Sequence, residues 1–580
     1  MINIGLHGTS THHEIYRAMK LAYPETNSKT RSAVIESVMA YRWPDNDNTD
    51  KERLTARKQF DWLRWLHDAD PNCPLAKQAL DDVLVNYPNF RPRKHPDFTR
   101  WINSGWVGHQ SPWTVEDLLT KSPAEWLPEL LSFQATDILG PDREGLVITI
   151  KETVKRQFEW GIELATALED AGKWNADLWY GMIHAWSEIY LDEERYKEVL
   201  QWLSRTELYC EHARTIADSL SAFLRNETKP YALSMLSQAN EIAEALWRHL
   251  DRTTLSERSS DWIQMAINHP AGILTEFWLG SLSHWRRHQD PIPKTLSEEY
   301  FRVLTNIMQD QSLPGKLGRS ILFSRFAYLL EVDEEWTRNN LLPLFDPDND
   351  LEEFQIAWDG YLISGYLNPT IVELLSKYTL KALRRINDEL SGNRNRFIEY
   401  YTILLGYYVE DPLKTWITEL FLYCSIEDRL HFSWIVQREL RRMRESKRQE
   451  WWQRWLKSYW ENRINGKPAT LESGEVERML DWLPHLGSEF PEAVDHATRK
   501  QLPPLQQSSI IYDLSKSELA KQYPEDVAKL MINLGNSNSH LIIWYKGDEL
   551  IDIILQSDLP QAIEHQLKEL VARLGLKQGI

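Results

Sequence analysis

Apolar residues recur along this chain at steps of three and four. Val147, Ile150, Val154, Phe158, Gly161, Ala165 and Leu168 follow that rhythm, which predicts one amphipathic helix with a single buried stripe. Gly172 then supplies a stop, and Trp179, Met182, Ile183, Trp186 and Tyr190 share the next helical face. Asp192 restarts the chain as a cap, and Tyr196, Val199, Leu200 and Leu203 form a third stripe. Helices parted by breaks this short pack as antiparallel neighbours. Start signals agree: in "SPAEWLPELL" Ser122 caps, Pro123 takes the first helical position and Glu125 completes a capping box. The pattern predicts an all-α protein, an irregular α-solenoid of antiparallel helix pairs. Pairs recur at roughly the 34 to 47 residue spacing of such arrays, without a strict repeat consensus.

Punctuation suggests where the array divides. It falls at Asn89–Trp113, Ile138–Gly145, Gln289–Lys294, Asn465–Gly474 and Leu502–Ser509. The expected regions are 1–140, ending in a Pro- and Trp-rich loop, two helical-repeat regions at 141–290 and 291–465, and a helical region at 466–580. Only 24 glycines and 27 prolines in 580 residues favour long helices over turn-rich β structure. A formal charge of −19 argues against a chain that coats nucleic acid or an anionic membrane over its whole surface. Cys73, Cys210 and Cys424 are far apart and form no CxxC pair, which fits a reducing cytosol. Met1 opens a polar segment without a signal pattern, and the apolar run Tyr400–Val409 is too short to span a bilayer. The expectation is a cytoplasmic protein with no membrane partner.

The strongest local charge feature is Arg438–Lys467, with ten basic and four acidic residues and Trp451, Trp452, Trp455 and Trp460 interleaved. Arginines beside aromatics can grip phosphates and stack on bases. On that reading Arg441, Arg442, Arg444, Lys447 and Arg448 supply contacts and Trp451, Trp452 and Trp455 supply rings, so residues 438–467 offer a nucleic-acid site. The plainer reading is one or two amphipathic helices with the tryptophans inward and a solvated basic face. His284 and His288 stand four apart, a spacing that can hold a metal, but Trp285 stands where a zinc protease needs glutamate. They are expected to flank a structural stripe of Leu274, Phe277, Trp278, Leu282 and Trp285. Thr11 and Glu14 read as a capping box that places His12 and His13 in a first helical turn. Asp346, Asp348 and Asp350 alternate like a calcium loop, yet Leu351 replaces the required glycine and Ala357 the final glutamate, so Asp350 reads as a helix cap. No phosphate loop, dinucleotide fingerprint or nucleophile elbow occurs, and no cofactor is expected.

Three segments carry a family resemblance: Trp65–Asp81, His269–Ser283 and Leu317–Asp346. Together they resemble the uncharacterised helical region that lies C-terminal to sirtuin-like NAD-consuming domains in large bacterial proteins, many linked to anti-phage defence. The resemblance implies a protein-interaction and sensor module whose partner is a phage component or a separate effector. It implies no catalytic residue here, because the glycine-rich NAD pocket of a sirtuin-like domain is missing and the His-Gly pair in Gly5–Gly8 has no nucleotide-binding unit before it. The expected function is therefore recognition, with effector chemistry elsewhere, and nucleic-acid binding is the alternative.

Overall fold

A computed structural model of the chain describes residues 12–43, 51–93, 96–97, 109–135, 140–225, 233–252, 261–537 and 544–575. Every regular element among them is helical. Contacts divide the chain into two units, Met1–Gly108 and His109–Ile580, at a point inside the Pro- and Trp-rich segment Asn89–Trp113.

The first unit holds α1 (His12–Ala22), α2 (Ser28–Ala40), α3 (Lys51–Ala69) and α4 (Pro74–Asn86). The amphipathic helix α3 is its hub, and Phe60, Trp62, Leu63 and Leu66 meet Tyr16, Leu80 and Val83 in a separate core. Thr11 lies outside the described residues, but the helix does begin at His12, and His13 reaches Asp97 at 3.1 Å.

The second unit continues with α5 (Val115–Leu118), α6 (Pro123–Ser132), α7 (Arg143–Arg156), α8 (Phe158–Asp170), α9 (Leu178–Glu188), α10 (Glu193–Leu203), α11 (Tyr209–Arg225) and α12 (Leu233–His249). Next come α13 (Trp262–Asn268), α14 (Pro270–Arg287), α15 (Glu298–Gln309), α16 (Leu313–Ser324), α17 (Phe326–Val332), α18 (Glu334–Asn340), α19 (Leu351–Tyr361) and α20 (Pro369–Leu383). It ends with α21 (Arg394–Tyr408), α22 (Trp416–Tyr423), α23 (Ile426–Arg442), α24 (Glu445–Trp451), α25 (Lys457–Ile464), α26 (Ser473–Leu480) and α27 (Phe490–Thr498), then α28 (Ile510–Ser515), α29 (Leu519–Gln522), α30 (Pro524–Asn536), α31 (Gly547–Leu555) and α32 (Gln561–Leu574). One apolar cluster runs through this unit from Leu118 to Val571.

Local signals explain many of the boundaries. The Ser122–Glu125 capping box forms at α6, Gly172 turns the chain at φ 63°, and Asp192 accepts from the Arg195 N–H at 3.0 Å. Asp350 caps α19 by accepting from the Glu352 and Glu353 N–H groups, each at 2.9 Å, while Asp346 and Asp348 engage Lys381. One expectation is corrected. The stripe from Val147 to Leu168 is not one helix but two, α7 and α8, because Gln157 is extended at φ −139°, ψ 97°. The chain folds back there, so that Gly161 approaches Val154 too closely for any β-carbon. Both halves keep the same buried stripe because both face the same core.

Helices two or three positions apart in the chain touch in series. The helices α7, α9, α11, α14, α16 and α19 each contact the next, as do α21, α23 and α26, and then α27, α30 and α32. Glycines permit the closest approaches: a β-carbon on Gly181 would stand 2.8 Å from the Val147 carbonyl, and one on Gly360 2.2 Å from that of Ser320. Ion pairs mark the same register. Arg143–Asp177, Lys151–Glu188, Arg319–Glu353, Lys381–Asp346, Arg394–Asp428 and Lys457–Glu492 join residues 34, 37, 34, 35, 34 and 35 apart. The more exposed of them, such as Lys151–Glu188, stabilise by about 0–1 kcal/mol each and report register more than they hold the fold, whereas Arg319 and Asp428 are buried.

Candidate functional site

The basic, tryptophan-rich segment turns inward. Trp451, Trp452 and Trp455 are 0% exposed and Trp460 is 1% exposed. A π-turn at Trp452–Leu456 joins α24 to α25 and shifts the side-chain phase, which lets Trp451, Trp452 and Trp455 all be enclosed. Trp451 lies against Gly406, where a β-carbon would meet the ring at 2.4 Å. Arg454 donates to the Gly406 and Val409 carbonyls and so closes the C-terminal end of α21. The reading of Trp451, Trp452 and Trp455 as stacking groups is therefore corrected, since a base needs an open ring face.

The basic residues of that segment mostly have internal partners. Arg441 donates to Asp513 at 2.7 Å and to His485 at 2.9 Å. Lys447 pairs with Glu450 at 2.7 Å, and Arg448 donates to the Leu440 carbonyl at 2.9 Å. Arg442 stays 70% exposed with Glu439 at 3.9 Å, and Arg444 is exposed without an ion-pair partner among the described residues. Deeper still, Arg463 is fully buried. It donates to Glu475 at 3.0 Å and to the carbonyls of Lys467, Ala469 and Thr470, while Arg429 reaches the other Glu475 oxygen at 3.3 Å.

The histidines of α14 are placed as structural residues. His269 caps the helix by accepting from the Ala271 N–H at 3.1 Å. The His288 Nδ1 lies 2.9 Å from the His284 carbonyl, and the two rings stand 4.5 Å apart at the C-terminal end of the helix. Among the described residues no group of three or more His, Cys, Asp or Glu side chains is arranged to hold a metal ion.

The same helix carries an open groove of about 790 Å³. It runs beside α14 from Gly272 to Arg287, roughly 22 Å at the helical rise of 1.5 Å per residue. Helix α11 forms one wall, where Ser221 Oγ lies 3.5 Å from the Ile273 carbonyl and Leu224 packs against Gly280. Helix α17 and its cap form the other, where Arg325 reaches Glu276 at 3.2 Å and Tyr328 lines the wall. Phe277, fully buried, is part of the floor, and Gly280 leaves the middle open. Polar groups stand at the ends. Asp218, one turn before Ser221, marks the end near Gly272, and Arg287 marks the other, exposed and without an ion-pair partner among the described residues. On α9 beside Asp218, burial lowers the His184 pKa, and nearby Lys151 pushes it the same way. The buried side of α14 is pinned by Ser281, which meets Tyr300 OH at 2.8 Å and Asn240 at 3.3 Å. An apolar floor with a few charged groups at fixed places suits recognition.

Sequence reading missed this groove. Its one local signal is the run of small residues Gly272, Gly280 and Ser283 at helical spacing along α14. The rest comes from helices some 50 residues away, with Ser221 and Ile273 separated by 52 positions and Glu276 and Arg325 by 49.

Fold and groove together define an all-helical protein, among the described residues, with an open groove along α14. The profile of one family, described as Domain of unknown function (DUF4020), matches residues 407–571, which span the end of α21 through most of α32. Among curated proteins none matches the chain. The groove along α14 lies outside the matched stretch.

Proposed function

We propose that the chain is a protein-interaction and sensing module, built as an irregular α-solenoid of antiparallel helix pairs, with the groove along α14 as its partner site. The observation that carries this reading is the groove itself: it is open, ligand-sized, floored by apolar side chains and bounded by Asp218 and Arg287. The contacts between helices two or three positions apart and the ion pairs 34 to 37 residues apart support the solenoid reading, since a near-constant offset is what stacked repeats would give. The setting follows from the resemblance: a cytoplasmic component of bacterial anti-phage defence, with a phage protein or a separate effector as partner and the effector chemistry outside this chain. No helix among the described residues is long and apolar enough to cross a membrane.

A photo-crosslinking amino acid at Ser283, in cells that carry the chain with its neighbouring genes, tests the reading. During phage infection it is expected to trap one protein adduct. Gly280→Trp fills the groove and should remove the adduct and any protection against phage while the thermal midpoint stays near wild type. A Ser283 probe that traps nothing with or without infection, or adduct and protection that persist in folded Gly280→Trp, overturns it.

A further inference from the structure

A second cavity, of about 430 Å³, lies within the family-matched stretch, between α25, α26, α27 and the segment 499–503. Its walls are Trp460, Ile464, Leu471, Val476, Met479 and Leu502, with Ala497 also lining it. A cation stands at the edge of this apolar surface. Lys500, exposed at the rim, donates only to the Ile464 carbonyl at 3.1 Å and the Asn465 side chain at 3.3 Å, and no carboxylate among the described residues pairs with it. Trp460 is 1% exposed and contributes ring surface to the wall.

The walls are held in place from behind. Arg463 ties the loop on one side through three carbonyls and Glu475. On the other side Asn533 accepts from the Leu502 N–H at 3.3 Å, and Glu477 accepts from the Gln506 N–H. A cavity whose walls are fixed in advance loses little order when filled. We infer that this cavity binds a small apolar carboxylate, its hydrocarbon part against Trp460, Val476, Met479 and Leu502 and its carboxylate on Lys500. The site is independent of the α14 groove.

Calorimetry of the full chain with decanoate and with decanol, both below their aggregation concentrations, tests this. Decanoate should bind one to one and at least about tenfold tighter than the neutral alcohol, a difference of about 1.4 kcal/mol. Lys500→Met should bring the two to equal affinity. Ala497→Phe fills the cavity and Ser473→Trp obstructs its mouth, and each should lose decanoate binding by at least about tenfold. Ser473 is exposed, so its variant keeps the test valid if Ala497→Phe fails to fold. Absence of saturable decanoate binding, equal affinity for the alcohol in wild type, or binding that survives in every folded cavity variant overturns the inference.

Discussion

Two helical regions of this chain set tryptophan beside arginine, Leu274–Arg287 in α14 and Arg438–Lys467 across α23 to α25, and the structure uses them in opposite ways. By residue type Arg438–Lys467 is the better candidate for a binding element, yet its tryptophans are enclosed and most of its arginines hold carbonyls and carboxylates of the same chain. Leu274–Arg287 has the pattern of plain wall, yet it borders the open groove and leaves Arg287 without an ion-pair partner among the described residues. The difference lies in what each helix packs against. Trp451, Trp452 and Trp455 are surrounded by α21, α23 and α27, whereas the groove side of α14 carries Gly272, Gly280 and Ser283 between its larger side chains and borders open space. Residue type alone does not mark a surface; the neighbours decide.

The largest effect that sharpens this contrast comes from trimming tryptophans. Trp455→Ala should destabilise the protein by about 3–5 kcal/mol, because it removes a fully enclosed ring and leaves a cavity. Trp434 on α23 is 42% exposed, stacked on His431 with ring centroids 5.6 Å apart. Trp434→Ala should stay within about 1 kcal/mol of wild type, consistent with a surface substitution that loses one aromatic contact. Urea unfolding of both variants checks the pair, and a Trp455→Ala protein as stable as Trp434→Ala would erase the distinction.

A smaller effect concerns a charge enclosed in the C-terminal region. Asp481 is 1% exposed and accepts from Ser508 Oγ at 2.8 Å and from the Ser509 N–H at 3.0 Å. Burial outweighs those bonds and raises its pKa from 3.8 to about 6. The folded chain thus keeps a proton that the unfolded chain has lost. Stability from this group is highest below about pH 4, falls as pH rises toward 6, and stays lower above it by on the order of 2–3 kcal/mol. Asp481→Asn retains an acceptor oxygen without the charge. Its unfolding midpoint in urea should exceed wild type at pH 7.5 and match it more closely at pH 4.5. Parallel profiles for the two proteins would show that the carboxylate is not strained by burial.

Sequence legibility followed the same divide between local and distant causes. The capping box at Ser122–Glu125, the Asp350 cap and the stop at Gly172 involve groups three residues apart or less, so the chain announces them. Inward tryptophans in Arg438–Lys467 were also readable, because their near-helical spacing puts them on adjoining faces. The break at Gln157 carries no glycine, proline or cap of its own. It exists because Gly161 lets α8 fold against Val154, a contact that periodicity does not encode. The groove was invisible for a stronger reason, since its two walls are set about 50 residues away on either side of α14. The cavity beside Trp460 likewise needs α25, α26 and the 499–503 segment together.

The smallest expected effect is also the one that most directly probes the nucleic-acid alternative. Of the five cations assigned to it, Arg441, Lys447 and Arg448 have partners within the chain, and Arg442 and Arg444 are the most exposed. If those two alone met phosphates, the dependence of log affinity on log salt would have a slope of about −1.8, far below that of a protein making six to ten contacts. No ring of Trp451, Trp452 or Trp455 can add stacking. Duplex and single-stranded DNA titrated across a salt series should therefore show no specific binding near physiological salt. Replacing Arg442 and Arg444 together with glutamate should leave those titrations unchanged and shift stability by less than about 1 kcal/mol, as expected for exposed sites. A steep salt slope that this double variant flattens by about two units would reopen the segment as a nucleic-acid surface and break the contrast with α14.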